Sequence, residues 1–332
     1  MESLKLGNVG PVSSAIGLGC MGMSEFYGHS DDASSLRTLA RALELGVTHF
    51  DTADTYGFGR NEQLLGKFIA DAAPSQREKM VIASKFGIVR SEDQYERRID
   101  NSPAYIRNAC EASLRRLGVE KIDLYYCHRR DPLVPIEDVI ATLGDLVREG
   151  KVGAIGLSEV SEQTLQRAHA VHPISAVQSE YSLWSREPEH GMLQMCQELG
   201  VAFVAYSPLG RSFLTGPVDV SGLADNDFRR IHPRFSGDAG EQNRRLVQAL
   251  TEFAEGLRAS TSQIALAWIL NKHPHVIPIP GTRRVAYLES NVHAADIRLT
   301  PEQVKALDEL FDSAKVAGQR YPEAGFVGIE RS

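Results

Sequence analysis

The chain has 332 residues, 42% of them hydrophobic and 24% charged, with a formal net charge of −7. This is the composition of a globular protein with ample core, and the acidic surplus argues against nucleic acid as the main partner. No apolar run approaches the about 20 residues of a membrane helix, and the N-terminal "MESLKLGNVG" lacks the basic-then-apolar pattern of a secretory signal.

In chain order, "LKLGNVGPVS" (4–13) reads as a short hairpin with Gly7-Asn8 at its turn. Eight strand-like runs follow, each with a helical pattern after it: "AIGLGC" (15–20) with Asp32 to Leu45, "GVTHFD" with Asn61 to Asp71, "MVIASKF" (80–86) with Ser102 to Leu117, and "IDLYYCH" (122–128) with Ile136 to Glu149. The second four are "VGAIGLS" (152–158) with Ser161 to Ala170, "ISAVQSE" (174–180) with Glu189 to Leu199, "VAFVAYS" (201–207) with Glu241 to Leu257, and "VIPIPG" (276–281) with Arg284 to Val292. Ile106, Ala109, Cys110, Ser113, Leu114 and Leu117 repeat at helical spacing, with Ser102 as N-cap and Pro103 in the first turn. Gly46, Gly118, Gly150 and Gly200 each fall where a helix must stop before a strand. A long insert, 211–237, interrupts the seventh unit, and residues 301–313 predict one more amphipathic helix.

Strand–helix alternation implies a parallel sheet with helices outside, and eight units fit a closed (β/α)8 TIM barrel, an α/β fold, better than an open doubly wound sheet. The open sheet would carry a glycine fingerprint after its first strand. Gly17, Gly19 and Gly22 match G-x-G-x-x-G, but no helix begins after them, so we read a glycine-rich strand end. No linker appears, and residues 1–332 read as one domain. Cys20, Cys110, Cys127 and Cys196 show no C-x-x-C spacing. They read as buried apolar residues in a reducing compartment, and the protein as cytoplasmic.

In a barrel of this kind the chemistry sits at the C-terminal ends of the strands. Asp51 ends the second strand, Tyr56 follows it, Lys85 ends the third and His128 the fourth. Adjacent strands lie about 4.8 Å apart, so the four could share a pocket. Each has a plain structural alternative: an Asp51–Lys85 ion pair, a packed tyrosine, a satisfied histidine. Asp54 reads as a surface turn residue. A metal site is the competing chemistry, with His49 and Asp51 alternating on one strand face, but no second histidine pair stands at other strand ends.

These motifs carry a resemblance. "FDTADTYG", "ASKFG", "DLYYCHRRD", "GLSE" (156–159), "QSEYSL" (178–183), "AYSPLGRSFLTG" (205–216) and "IPGTRRVAYLESN" (279–291) occur in the order seen in aldo-keto reductases, over residues 4 to 313. "SPLGR", "GTRR" and "YYCHRRD" look closest to the long-insert branch that includes perakine reductase and pyridoxal reductase. The resemblance implies NADPH-dependent reduction of an aldehyde or ketone by a tetrad: Tyr56 as acid, Lys85 lowering its pKa, Asp51 holding Lys85, and His128 placing the carbonyl as a neutral imidazole. It also implies a small-molecule carbonyl as partner, with no metal, nucleic acid or membrane. A redox-sensing regulatory subunit is the alternative within the same family.

The cofactor contacts follow in the same way. Ser158 and Gln178 match positions that bind the nicotinamide carboxamide, and Tyr206 the aromatic that stacks on the ring. Met21 is expected beside the cofactor. Leu209 and Gly210 by backbone N–H, and Arg211 by its guanidinium, would meet the pyrophosphate, and Ser207 is expected among the cofactor contacts. Gly281, Thr282 and Arg283 would grip a 2′-phosphate at a helix start, favouring NADPH over NADH, with Tyr287 and Asn291 near the adenine. Glu159 and Ser290 stand where many relatives have other residues. Met21, Met23, Phe26, Tyr27, Trp184, Phe213 and Phe235 are the expected substrate-pocket walls, Arg129 and Arg130 could meet an acidic group or pair internally, and insert 211–237 would fold over the cofactor.

Overall fold

A computed structural model describes residues 1–90, 97–216, 218, 220, 222–225 and 227–330. The chain opens with strands β1 (Ser3–Lys5) and β2 (Val12–Ser14), paired antiparallel as the predicted hairpin. Eight parallel strands then form one sheet: β3 (Leu18–Gly19), β4 (His49–Asp51), β5 (Val81–Phe86), β8 (Leu124–Cys127), β9 (Ile155–Ser158), β10 (Ala176–Glu180), β11 (Ala202–Tyr206) and β12 (Val276–Pro278), in that spatial order. The seam is closed by a parallel bridge between Gly19 and Gly281 and by the Gly17 N–H donating to the Pro278 carbonyl at 3.0 Å. At that seam a Cβ on Gly17 would stand 2.8 Å from Ile279, and one on Gly19 2.9 Å from the Ile279 carbonyl oxygen. The glycines of the rejected fingerprint therefore let the first and last strands approach.

Helices α1 (Asp32–Glu44), α2 (Arg60–Asp71), α4 (Pro103–Leu117), α5 (Ile136–Arg148), α6 (Glu162–Val171), α7 (Met192–Leu199), α8 (Gly237–Gly256) and α10 (Val285–His293) answer the expected eight, and α11 (Pro301–Leu310) follows the barrel. Ser102 caps α4 by accepting from the Tyr105 N–H, and Gly118 ends it at φ 64°. Three described elements were not predicted: the short α3 (Pro74–Arg77), the hairpin β6 (Ile88–Arg90) and β7 (Arg97–Ile99), and a complete helix α9 (Thr261–Lys272).

The two-residue period of the strands divides the core in two. Phe50, Ile82, Phe86, Tyr125, Cys127, Ile155, Leu157, Phe203 and Ala205 face the helices in the larger cluster. Val81, Ala83, Leu124, Tyr126, Ala176, Ala202, Val204 and Ile277 fill the barrel interior, and Leu6 of the hairpin packs with them. The Asn8 N–H donates to the Gly200 carbonyl, which places the hairpin at the N-terminal ends of the strands. Asp51, Lys85, Ser158, Gln178 and Tyr206 share the inward phase at the opposite end, where a large cavity opens.

Candidate active site

That opening is a cavity of about 690 Å³, within the usual range for ligand sites. Its wall includes Met21, Asp51, Tyr56, His128, Arg129, Ser158, Gln178, Tyr206, Ser207, Leu209, Arg211, Gly281, Thr282, Arg283, Tyr287 and Asn291. Lys85 lies just beneath, with no exposure.

Asp51 and Lys85 form a buried ion pair, and the Lys85 amine also donates to the Thr52 carbonyl at 2.8 Å. The other Asp51 oxygen accepts from Gln178 Nε2 at 2.8 Å. The Lys85 amine is 5.2 Å from the Tyr56 ring centroid, and the Tyr56 and His128 rings meet edge to face at 5.8 Å. Tyr56 is presented by a tight turn in which Gly57 and Phe58 both take left-handed φ, 55° and 56°. Glu25 accepts the Gly57 N–H at 2.9 Å and pairs with Arg90, which also binds the Thr55 carbonyl. A bulky residue at positive φ persists only where its surroundings hold it.

Burial pushes the Tyr56 phenol well above the usual range, and the Asp51 carboxylate adds to this. In the resting site burial and Asp51 leave the phenol above its ordinary value, so the net lowering expected from Lys85 does not prevail there. Burial likewise pushes Lys85 down from the ordinary lysine value, against the pull of Asp51. His128 is pushed well below its usual value by burial, then by the cations Arg129, Lys85, Arg97 and Arg90, and is a neutral imidazole.

Several expected contacts are already made within the protein. Ser158 Oγ accepts from Arg129 Nη1 at 3.1 Å. Arg211 is bound through both guanidinium nitrogens to Glu180 at 3.0 and 2.8 Å, so its charge is not free for a phosphate. Gly210 does not line the cavity: its N–H donates to the Ser207 carbonyl, and a Cβ there would stand 2.6 Å from the Trp184 indole. Trp184, Phe213 and Phe235 are not pocket walls but an aromatic nucleus, with Trp184–Phe213 at 5.0 Å and Phe213–Phe235 at 4.8 Å. They pin the base of the insert. Met23 is buried in the outer core instead of facing the cavity. Phe26 and Tyr27 do line it, joined by Phe228 and Tyr321, which the sequence did not single out. Across the opening, the Phe228 N–H donates to the Phe26 carbonyl and Arg229 stands over the Tyr27 ring.

The C-terminal segment after α11 completes the wall. Arg320 binds Glu159 through two nitrogens at 2.8 and 2.6 Å, the Tyr321 hydroxyl meets that of Tyr206 at 3.0 Å, and Glu330 pairs with Arg130 at 2.8 Å. His49, the other half of the metal alternative, lies one inward step below Asp51, fully buried, and desolvation pushes its pKa to about 4.

Opposite the tetrad, Arg283, Arg284 and Arg229 crowd together with Asp227 as counter-charge. Burial, then Arg284 and Arg229, lower the Arg283 pKa. Arg283 donates to the carbonyls of Gly22 and Tyr27 at 3.2 and 2.8 Å, not to a carboxylate. A cation surplus of this kind fits a polyanionic ligand.

A closed parallel barrel with an ion-paired lysine, a tyrosine and a neutral histidine at its strand ends defines an enzyme-like site in an α/β barrel. The chain matches the Aldo/keto reductase family over residues 15–312, and it belongs to that family. A probable aldo-keto reductase 1 of Glycine max is 42% identical over 322 residues, covering 97% of this chain and 92% of that protein. The glycerol dehydrogenase AKR11B4 of Gluconobacter oxydans superposes with a TM-score of 0.84 at 29% identity, covering 93% and 94% of the two chains. The holo form of aldo-keto reductase AKR11C1 from Bacillus halodurans gives 0.77 at 26% identity, covering 94% and 97%. Membership of this family makes the protein an oxidoreductase. No helix among the described residues is long and apolar enough to cross a membrane.

Proposed function

We propose that the protein is an NADPH-dependent carbonyl reductase in which Tyr56 delivers the proton. The observation that carries this reading is the convergence of Tyr56, His128 and the Lys85–Asp51 pair on one cavity. The site suits a phosphorylated dinucleotide. Thr282, Arg283 and Arg284 would hold a 2′-phosphate, Tyr287 and Asn291 the adenine side, the Ser207–Leu209 backbone the pyrophosphate, and Ser158, Gln178 and Tyr206 the nicotinamide. Bound there, NADPH supplies the hydride.

The protein's own residues handle the proton. With its pKa raised, Tyr56 rests as a neutral phenol and is loaded with the hydrogen that a nascent alkoxide needs. Lys85 acts at the next moment: as the proton leaves, its ammonium faces a developing phenolate, which it stabilises. Asp51 fixes the amine, and Gln178 fixes Asp51. Neutral His128 donates a hydrogen bond to the substrate oxygen and cannot compete with Tyr56 as acid. The residues contributed by 211–237, Arg211, Ser212, Thr215, Phe228 and Arg229, would cover the bound cofactor.

Tyr56→Phe should lower NADPH-dependent reduction of simple aldehydes by about 100-fold or more, the usual worth of a positioned acid. NADPH affinity, read by quenching of protein fluorescence, should stay within about twofold. Wild-type turnover in the variant would remove Tyr56 as the acid. We place the protein in the long-insert branch on "SPLGR", "GTRR" and "YYCHRRD".

A further inference from the structure

Two adjacent arginines follow His128, and their surroundings differ. Arg130 is matched by Glu330. Arg129 is 5% exposed, lines the cavity beside Tyr56 and His128, and has no carboxylate at ion-pair contact among the described residues, although the charge of Glu159 reaches it. Its Nη1 donates to the His128 carbonyl at 2.6 Å and to Ser158 Oγ at 3.1 Å. Its Nε is enclosed with no hydrogen bond, and among the described residues its Nη2 has no hydrogen-bond partner. The enclosed Nε does not reach open space, so a carboxylate in the cavity would be met by Nη2 in a charge-assisted hydrogen bond.

Every carboxylate nearby is already committed. Asp51 serves Lys85 and Gln178, Glu159 serves Arg320, Glu180 serves Arg211, and Glu25 serves Arg90. Arg97 also lines this end of the cavity. A guanidinium does not lose its charge at any working pH, and burying one whose nearest counter-charge is shared with another arginine is costly. Within the site it helps to hold His128 neutral and to fix Ser158, and neither task uses its Nη2.

We propose that Arg129 is a substrate-recognition residue that binds a carboxylate carried by the carbonyl substrate. The preferred substrates are then oxo acids, aldehydes or ketones bearing a carboxylate, and not neutral carbonyls. This rests on the carbonyl-reductase reading above and narrows its substrate class. Arg129 holds the acid end while His128, its neighbour in sequence, orients the carbonyl.

The test is NADPH oxidation by the full-length enzyme with glyoxylate, succinic semialdehyde and 4-carboxybenzaldehyde, each against its methyl ester, with benzaldehyde as a neutral reference. The expected result is a kcat/KM preference for at least one acid over its ester of about 10-fold or more. Arg129→Gln should cut that preference about 10- to 100-fold, the loss of one charge-assisted hydrogen bond, mainly through KM, and Arg129→Lys should restore part of it. Esters equal to or better than acids throughout, or acid and ester falling together in the variant, overturn the assignment. If Arg129→Gln does not fold, competitive inhibition of the wild type by succinate decides: it should bind about 10-fold more tightly than succinamide, and equal inhibition counts against Arg129. Benzaldehyde separates the two failures. If it is reduced while acids gain nothing, only the role of Arg129 falls; if nothing is reduced, the carbonyl-reductase reading falls too.

Discussion

Asp51 and Asp54 lie three residues apart, and the barrel treats their carboxyls in opposite ways. Asp51 is paired with Lys85 at contact. Among the described residues Asp54 makes no ion pair, and its Oδ1 has neither solvent nor a hydrogen-bond partner. Burial, then the nearby Glu62 carboxylate, pushes its pKa up to about 8. Asp54 does stand in a turn and is partly exposed, as the sequence suggested, but its N–H donates to the Lys85 carbonyl and its Oδ1 points away from solvent. An acid whose folded pKa is raised keeps a proton that the unfolded chain, with a pKa of about 3.9, has released. The folded state is thus favoured below about pH 4, and stability falls as pH rises from there to about 8. Asp54→Asn removes this slope. Its melting temperature relative to wild type should rise between pH 5 and pH 8, measured by thermal denaturation at about 0.15 M salt. A difference that stays flat with pH would show that Asp54 is ionised in the folded protein.

At the scale of elements, the predicted units match the observed ones wherever one face of a strand or helix differs from the other. That contrast is what a period reports. It fails for α9, where Ile264, Ala265, Leu266, Ala267, Trp268 and Ile269 are all fully buried. A helix apolar all round has no stripe to detect. It fails again at β6–β7, three residues a strand, and along the segment after α11, which has no period. That segment is held by pairs far apart in sequence, such as Arg320 with Glu159, which nothing local in either stretch announces. The convergence of Asp51, Lys85 and His128 was legible because they stand at or beside strand ends; Tyr321 and Phe228 were not, because irregular chain delivers them. The Arg320–Glu159 pair gives a test of the segment. Glu159 is 4% exposed, burial opposes its ionisation, and Arg320 is what keeps its pKa low. Arg320→Ala should cost about 3 kcal/mol of stability, because removing one partner strands a buried charge. Adding Glu159→Gln should recover part of the loss. Urea denaturation of the four members of the cycle measures this, and strictly additive losses would mean that the two side chains do not support one another.

The whole molecule separates its labours along the barrel axis. The hairpin packs against the end where the strands begin, the apolar interior fills the middle, and polar inward residues emerge where the strands finish. Between the filled middle and the site lies one position with no room. Gly156 on β9 faces inward, and a Cβ there would stand 2.3 Å from the ring of Tyr126 on β8. That ring cannot easily move, because it is fully buried and the Lys85 amine lies 5.9 Å from its centroid. Packing Tyr126 against the bare backbone of Gly156 thus sets the floor on which Lys85 and Asp51 rest. Gly156→Ala should destabilise the fold by about 1–3 kcal/mol, the range for overpacking a closed core. It should also lower kcat for aldehyde reduction while cofactor affinity changes little, since the displaced ring disturbs Lys85 before it reaches the arginines at the far side. A variant that unfolds at the same urea concentration as wild type, with unchanged kcat, would show that the interior has slack at this layer, and that the amine's position is set by Asp51 and the Thr52 carbonyl alone.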